Sequence, residues 1–153
     1  YVVPQARAAG YSGIIMGADG YDTTPDYVVA GADLTAFNNV YWTNHYDPSD
    51  TSEKVTSFVK AYQDKYGTIP SAFGATGYDC VYMYKAAIEA AGSAESTAVR
   101  DALADTSAVY DCVTGTFSLD ETGTPVKGAA IISFSSDGKT VTSKLVDVVT
   151  ELP

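Results

Sequence analysis

The 153-residue chain carries 19 acidic against 9 basic residues, a formal charge of −10, with 46% hydrophobic and 18% charged residues. This is globular composition, long enough to bury a core without metals or disulfides. So acidic a surface repels phosphate backbones and anionic lipid, which argues against nucleic-acid binding and electrostatic membrane docking. No apolar run approaches a membrane span, and no charged-then-apolar leader is present. The start at Tyr1-Val2-Val3-Pro4, without a Met, is what a processed protein, an excised domain or a fragment would give.

Gln5-Ala6-Arg7-Ala8-Ala9-Gly10 reads as a helix end capped by glycine. Gly13-Ile14-Ile15-Met16-Gly17 reads as a short strand buried on both faces. A polar turn follows, Ala18-Asp19-Gly20-Tyr21-Asp22, and Thr24-Pro25 then predicts a short helix to about Ala30. Val40-Tyr41-Trp42-Thr43 is a β-prone run. Asp50-Thr51-Ser52-Glu53 opens a helix with Val55, Phe58, Val59, Tyr62 and Tyr66 on one face, ended by Gly67 and Pro70. A second helix is expected from about Ala72 to Ala91, with an apolar stripe of Val81, Tyr84, Ile88 and Ala91. Ser93 can cap a third helix from Glu95 to about Ala104. The tail changes to strands: Thr114 to Leu119, Gly128 to Ser135 and Thr140 to Val148. The last two are joined across Ser136-Asp137-Gly138-Lys139, where Asp-Gly signals a hairpin. This order predicts an α/β fold with a partly parallel sheet.

Chemistry-bearing motifs are sparse. Cys80 and Cys112 lack metal-ligand spacing and leave open two buried free thiols or one disulfide of an exported protein. His45 is the single histidine and has no nucleophile or metal partner in its vicinity in sequence, so it reads as structural or surface. Gly10-Tyr11-Ser12-Gly13 has the wrong spacing for a nucleophile elbow, and no phosphate-cradling glycine loop is present. Asp19 and Asp22 lack the acid ladder of a calcium loop. No cofactor or metal is expected, and no enzymatic activity. Asp19 stands out because it follows an apolar strand and lies between turn formers, where α/β sheets bind ligands. Its carboxylate can accept charge-assisted hydrogen bonds from an ammonium group, although a turn-forming role is equally compatible with position alone.

Four segments, in order, resemble the leucine/isoleucine/valine-binding protein family of type I periplasmic-type solute-binding proteins. They are Gln5-Ala6-Arg7-Ala8-Ala9-Gly10 with Ile14 to Gly20; Phe58-Val59-Lys60-Ala61-Tyr62 with Lys65-Tyr66-Gly67 and Pro70; Ala75-Thr76-Gly77-Tyr78-Asp79 with Ala86 to Gly92; and Val113-Thr114-Gly115-Thr116-Phe117 with Asp120, Glu121 and Gly123. The resemblance implies an incomplete type I periplasmic-binding-protein-like α/β fold, the second half of two lobes that close on a ligand. Residues 1–42 would belong to the C-terminal lobe, 43–124 to the N-terminal lobe with a hinge crossing, and 125–153 would return to the C-terminal lobe. It implies an ABC importer's substrate-binding component for an amino acid, branched-chain or otherwise aliphatic, outside the cytoplasm and working with the importer's membrane subunits. A sensory ectodomain of the same fold is the alternative. Asp19 matches the acid that binds the ligand's ammonium group, Phe73 matches a pocket aromatic, and Gly20, Tyr21 and Tyr46 are its expected neighbours. Half a pocket lacks a grip on the ligand carboxylate, and open strand edges predict self-association of the isolated chain.

Overall fold

A computed structural model describes residues 2–22 and 30–150. In chain order it contains α1 (Val2–Ala8), β1 (Ile15–Gly17), a 3-10 turn (Leu34–Phe37), β2 (Val40–Asn44), α2 (Glu53–Tyr66), α3 (Ala72–Ala91), α4 (Ser96–Leu103), β3 (Tyr110–Cys112), β4 (Gly115–Leu119), β5 (Pro125–Val126), β6 (Ala129–Ser136) and β7 (Val141–Val149). These form two compact units, residues 1–47 with 129–153, and residues 48–128. The short helix expected from Thr24 falls almost wholly on residues 23–29, outside the described residues.

The first unit is built on a four-stranded mixed sheet in the order β1-β2-β6-β7. β1 and β2 run parallel, with Ile15 opposite Val40 and Gly17 opposite Trp42. β2–β6 and β6–β7 are antiparallel. Side chains alternate across a strand, so Val40 and Trp42 of β2 and Ala130, Ile132 and Phe134 of β6 fall on one buried face. There Phe134 stacks on Trp42 with ring centres 4.0 Å apart, and meets Phe37 edge-on at 5.5 Å. Val3 of α1 closes the same core.

Arg7 is more than a helix former. Its guanidinium donates to the carbonyls of Tyr11, Gly13, Ala36 and Asn38, tying the end of α1 to the approach to β1 and to the 3-10 turn. Asn38 fastens that turn to the end of β6, donating to Ser136 O and accepting from Ser136 N. The loop joining β6 to β7 is closed by Asp137, whose Oδ1 accepts from the N–H groups of Lys139 and Thr140.

The expectation that β1 is buried on both faces is corrected. Met16 is 61% exposed, whereas Ile15 packs against the core. β1 lies at the edge of the sheet, and the core covers only the face that carries Ile15.

In the second unit, α2 buries Val55 and Phe58 and leaves Tyr66 exposed. It ends on Gly67, and α3 ends on Gly92, both in the left-handed conformation that caps a helix. Ser71 caps α3 by accepting from Gly74 N. A three-stranded sheet of β3, β4 and β5 packs Tyr110, Cys112 and Phe117 against Met83 of α3 and Leu103 of α4.

The packed face of α3 differs from the one expected. Ala72, Ala75, Asp79 and Ala87 are buried, while Val81 is 67% exposed and Tyr84 50%. Of the expected stripe, Val81 and Tyr84 face outward, whereas Ile88 and Ala91 are half-buried. The inward face is lined with small residues and anchored by Asp79, whose two oxygens accept from the buried N–H groups of Val113 and Thr114 at 2.8 and 2.9 Å. A buried carboxylate is tolerated when backbone donors satisfy it in this way.

Both cysteines are free. Cys80 is exposed on α3, so only Cys112 fits the buried-thiol reading.

Candidate functional site

In the parallel pair, Gly17 lies opposite Trp42. Two residues further along each strand come Asp19, in the turn after β1, and Asn44, the last residue of β2. Equal offsets from a parallel register place the two strand ends side by side. Open α/β sheets present ligand-binding groups at this carboxyl end.

The turn is shaped by Gly20, whose φ of +83° is one that residues with a Cβ seldom adopt. Tyr21 then folds back so that its ring lies on Gly17. A Cβ added to Gly17 would come within 2.6 Å of that ring, so a glycine is needed here to seat it. Tyr21 is also packed against the aromatic core. The Asp19 side chain stays 46% exposed.

Asp19 meets a residue that the sequence reading did not assign to the site. His45 Nε2 lies 3.3 Å from Asp19 Oδ2, across 26 positions of sequence. The backbone N–H of His45 donates to Oδ1 of the buried Asn44, which fixes where the imidazole begins. His45 was read as structural or surface because no nucleophile or metal partner stands near it in sequence, and Asp19 is 26 positions away. The signal that finds it is the parallel register, since a residue just past β1 and one just past β2 must be neighbours.

The other expected site residues are placed differently. Tyr46 is buried, 5% exposed. Phe73 lies in the first turn of α3, in the second unit, and is 60% exposed. The first unit therefore brings together Asp19, Gly20, Tyr21 and His45 at its strand ends, with Tyr46 buried directly after His45.

A groove of about 640 Å³ between α2 and α3 is lined by Phe58, Tyr62, Tyr66, Tyr78 and Tyr82 among others. Its rings meet in tilted pairs, Tyr62 with Tyr66 at 4.6 Å and Tyr78 with Tyr82 at 4.7 Å between ring centres. A hydrogen bond between the Tyr78 and Tyr82 hydroxyls, together with partial burial, pushes the Tyr78 hydroxyl up to about 12. The charged groups that line it near its base are engaged: Asp79 is held by two backbone amides, and Lys54 pairs with Asp111. The groove offers mainly apolar ring surface, and its exposed carboxylate, Asp111, is paired with a lysine, whereas Asp19 is paired with a histidine. Among the described residues, no cluster of three or more potential metal ligands occurs.

A family model described as periplasmic binding protein matches residues 2–139. The chain belongs to the periplasmic binding protein family. It superposes on the leucine-binding protein LivK of Thermotoga maritima with a TM-score of 0.80 and 27% identity, over 97% of this chain and 41% of that one. LivJ of Streptococcus pneumoniae, a branched-chain amino acid transporter substrate-binding protein solved with isoleucine, gives 0.73 and 28% over 95% and 40%. An ABC transporter substrate-binding protein from Sphaerobacter thermophilus shares the fold at a TM-score of 0.77 with 16% identity, over 97% and 41%. No curated protein is similar enough to the chain to count as a match. The fold is thus that of type I periplasmic binding proteins, and the chain spans about two-fifths of the length of these solved relatives.

Proposed function

We propose that this chain is part of the substrate-binding component of an ABC importer, located outside the cytoplasm, and that the protein captures an amino acid with an aliphatic side chain. Family membership and the titles of the leucine- and isoleucine-binding relatives support the class of ligand. The observation that carries the reading is the open Asp19 carboxylate at the end of β1, beside a parallel neighbour. Its role is to accept hydrogen bonds from the ligand's ammonium group. The two compact units are, in this reading, the parts that the chain contributes to the two lobes of the full-length protein. Tyr21, beside Asp19 in the same unit, supplies apolar ring surface to the ligand side chain.

The process is reversible capture, with no bond made or broken. A charge-assisted hydrogen bond is worth about 1.5–3 kcal/mol, so neutralising Asp19 should weaken binding by about 10–100-fold. That is less than the loss of over ~100-fold expected for a fully buried pair. The reason is that Asp19 is half open to water and the desolvation it imposes on removal is smaller. Discrimination among aliphatic side chains should be gentler, since each buried methylene is worth about 0.8 kcal/mol.

For the 153 residues alone we propose self-association. α3 leaves Val81 and Tyr84 in solvent, and β7 leaves Val146, Val148 and Val149 largely exposed on an edge strand.

The test is calorimetric titration of the protein, expressed at the full length of its gene, with the twenty amino acids. Micromolar or tighter binding that prefers leucine, isoleucine or valine is the expected result. No binding by any amino acid would remove the proposal.

A further inference from the structure

We propose that Gly17 and Tyr21 are positioning residues for the ligand site: the Tyr21 ring, seated on Gly17, clasps the turn between them and holds the Asp19 carboxylate where it meets the ligand's ammonium group. The inference rests on the amino-acid-binding reading above and adds what sets the affinity of the same site. The observation behind it is the fit of ring to glycine. A Cβ added to Gly17 would stand 2.6 Å from Cγ and Cδ2 of Tyr21 and 2.7 Å from its Cδ1, closer than a real Cβ approaches any such atom.

The contact falls where the sheet stops holding the chain. β1 ends at Gly17, which is also the last residue of its pairing with β2. Beyond it the chain turns at Asp19 and Gly20, and Gly20 takes a φ of +83°. A turn left to itself samples several backbone states, and a carboxylate on it is presented in several places. Tyr21 closes this turn by returning to the strand that the chain has just left. Asp19 lies midway, two positions from each closing residue.

The seat resists displacement. Cγ, Cδ1 and Cδ2 are the ring atoms nearest the backbone, so a clash with them is not relieved by swinging the tip of a side chain aside. The ring is also packed against the aromatic cluster of the first unit. A methyl group added at Gly17 therefore moves the Tyr21 backbone, and with it the turn that carries Asp19. A small shift suffices, because a hydrogen bond weakens steeply as its distance and angle are spoiled. Tyr21 thus has two separable contacts, one with the ligand side chain and one with Gly17, and only the second acts through Asp19.

The test is a set of double-mutant cycles, with leucine titrated calorimetrically into the full-gene-length protein. Gly17→Ala, Tyr21→Ala and the two together are each made with Asp19 intact and with Asp19→Asn. Gly17→Ala should weaken leucine by about five- to twentyfold, a large part of the loss expected on neutralising Asp19. In the Asp19→Asn background it should cost less than about threefold, because the carboxylate it displaces is gone. A general loss of stability would not depend on Asp19 in this way. With Tyr21→Ala in place, Gly17→Ala should cost less than about twofold, because no ring remains to meet the methyl group. Should circular dichroism show that Gly17→Ala does not fold, Tyr21→Ala carries the test, since it adds nothing to the strand. Its cost should be at least about threefold larger with Asp19 intact than with Asp19→Asn, the loss of contact with the ligand side chain being common to both. Wild-type affinity in Gly17→Ala, or costs that are the same with and without the Asp19 carboxylate, would overturn the clasp while leaving amino-acid capture standing. Absence of leucine binding by the wild type, with the other amino acids also silent, would overturn both.

Discussion

In the unit formed by residues 1–47 and 129–153 the largest side chains are inside. In the unit formed by residues 48–128 many of them are outside. Trp42, Phe37 and Ile132 are almost wholly buried in the first, stacked within one aromatic core. The second buries alanines along α3 and leaves Val81, Tyr82 and Tyr84 at least half exposed. The first unit is therefore held by a core of its own, and the Asp19–His45 pair stands on strand ends that this core fixes. The second unit has a smaller cluster around Tyr110, Cys112 and Phe117, is tied by Asp79 to the backbone after β3, and carries apolar surface that invites further contact. A site on rigid strands can keep a carboxylate in place for a ligand, whereas an uncovered helix face is an association surface.

The contrast can be broken most sharply at Trp42. Trp42→Ala should cost about 3–5 kcal/mol and unfold the first unit early in a denaturant titration. Trp42→Phe should cost much less, because Trp42 Nε1 is buried without a hydrogen-bond partner among the described residues and its loss removes an unmet donor. Equal costs for the two would mean that the core is not packed around this ring. In the second unit, Asp79→Ala should cost about 2–4 kcal/mol by leaving two buried N–H groups unpaired, and Asp79→Asn less, since the amide oxygen still accepts one of them. Thermal unfolding of both variants checks the order.

A smaller effect tests the outward face of α3. The 153-residue chain should sediment as more than a monomer at high concentration. Val81→Lys with Tyr84→Lys should weaken that association by tenfold or more without changing the circular dichroism. A monomeric wild type would remove the association. The finest test uses the two thiols. Cys80 is exposed, while burial pushes the Cys112 thiol up to about 11. A thiol-specific reagent at pH 8 should label Cys80 promptly and Cys112 at least ~10-fold more slowly.

Much of the architecture could be read from the residues. Periodicity and caps placed α2 and α3 to within a few residues, because serine, glycine and proline punctuate both. The Asp137-Gly138 turn marked the β6–β7 hairpin. What periodicity could not supply was which face of α3 turns inward. The inward face is made of alanines and one aspartate, and nothing in the sequence says that this aspartate is paid for by two amides thirty-four and thirty-five residues away. β3 and β5 escaped notice because three and two residues are too short to show alternation. At the site, Asp19 was legible as an acid after an apolar strand, whereas His45 required the register of two parallel strands.

The most direct test of the central claim is to titrate leucine into the full-gene-length protein and its Asp19→Asn variant, alongside 4-methylpentanoate, which keeps the leucine skeleton but lacks the amino group. If Asp19 receives the ammonium, Asp19→Asn should weaken leucine by about 10–100-fold and leave the amino-free analogue equally weak against both proteins. An Asp19→Asn variant that binds leucine as tightly as wild type would contradict the account.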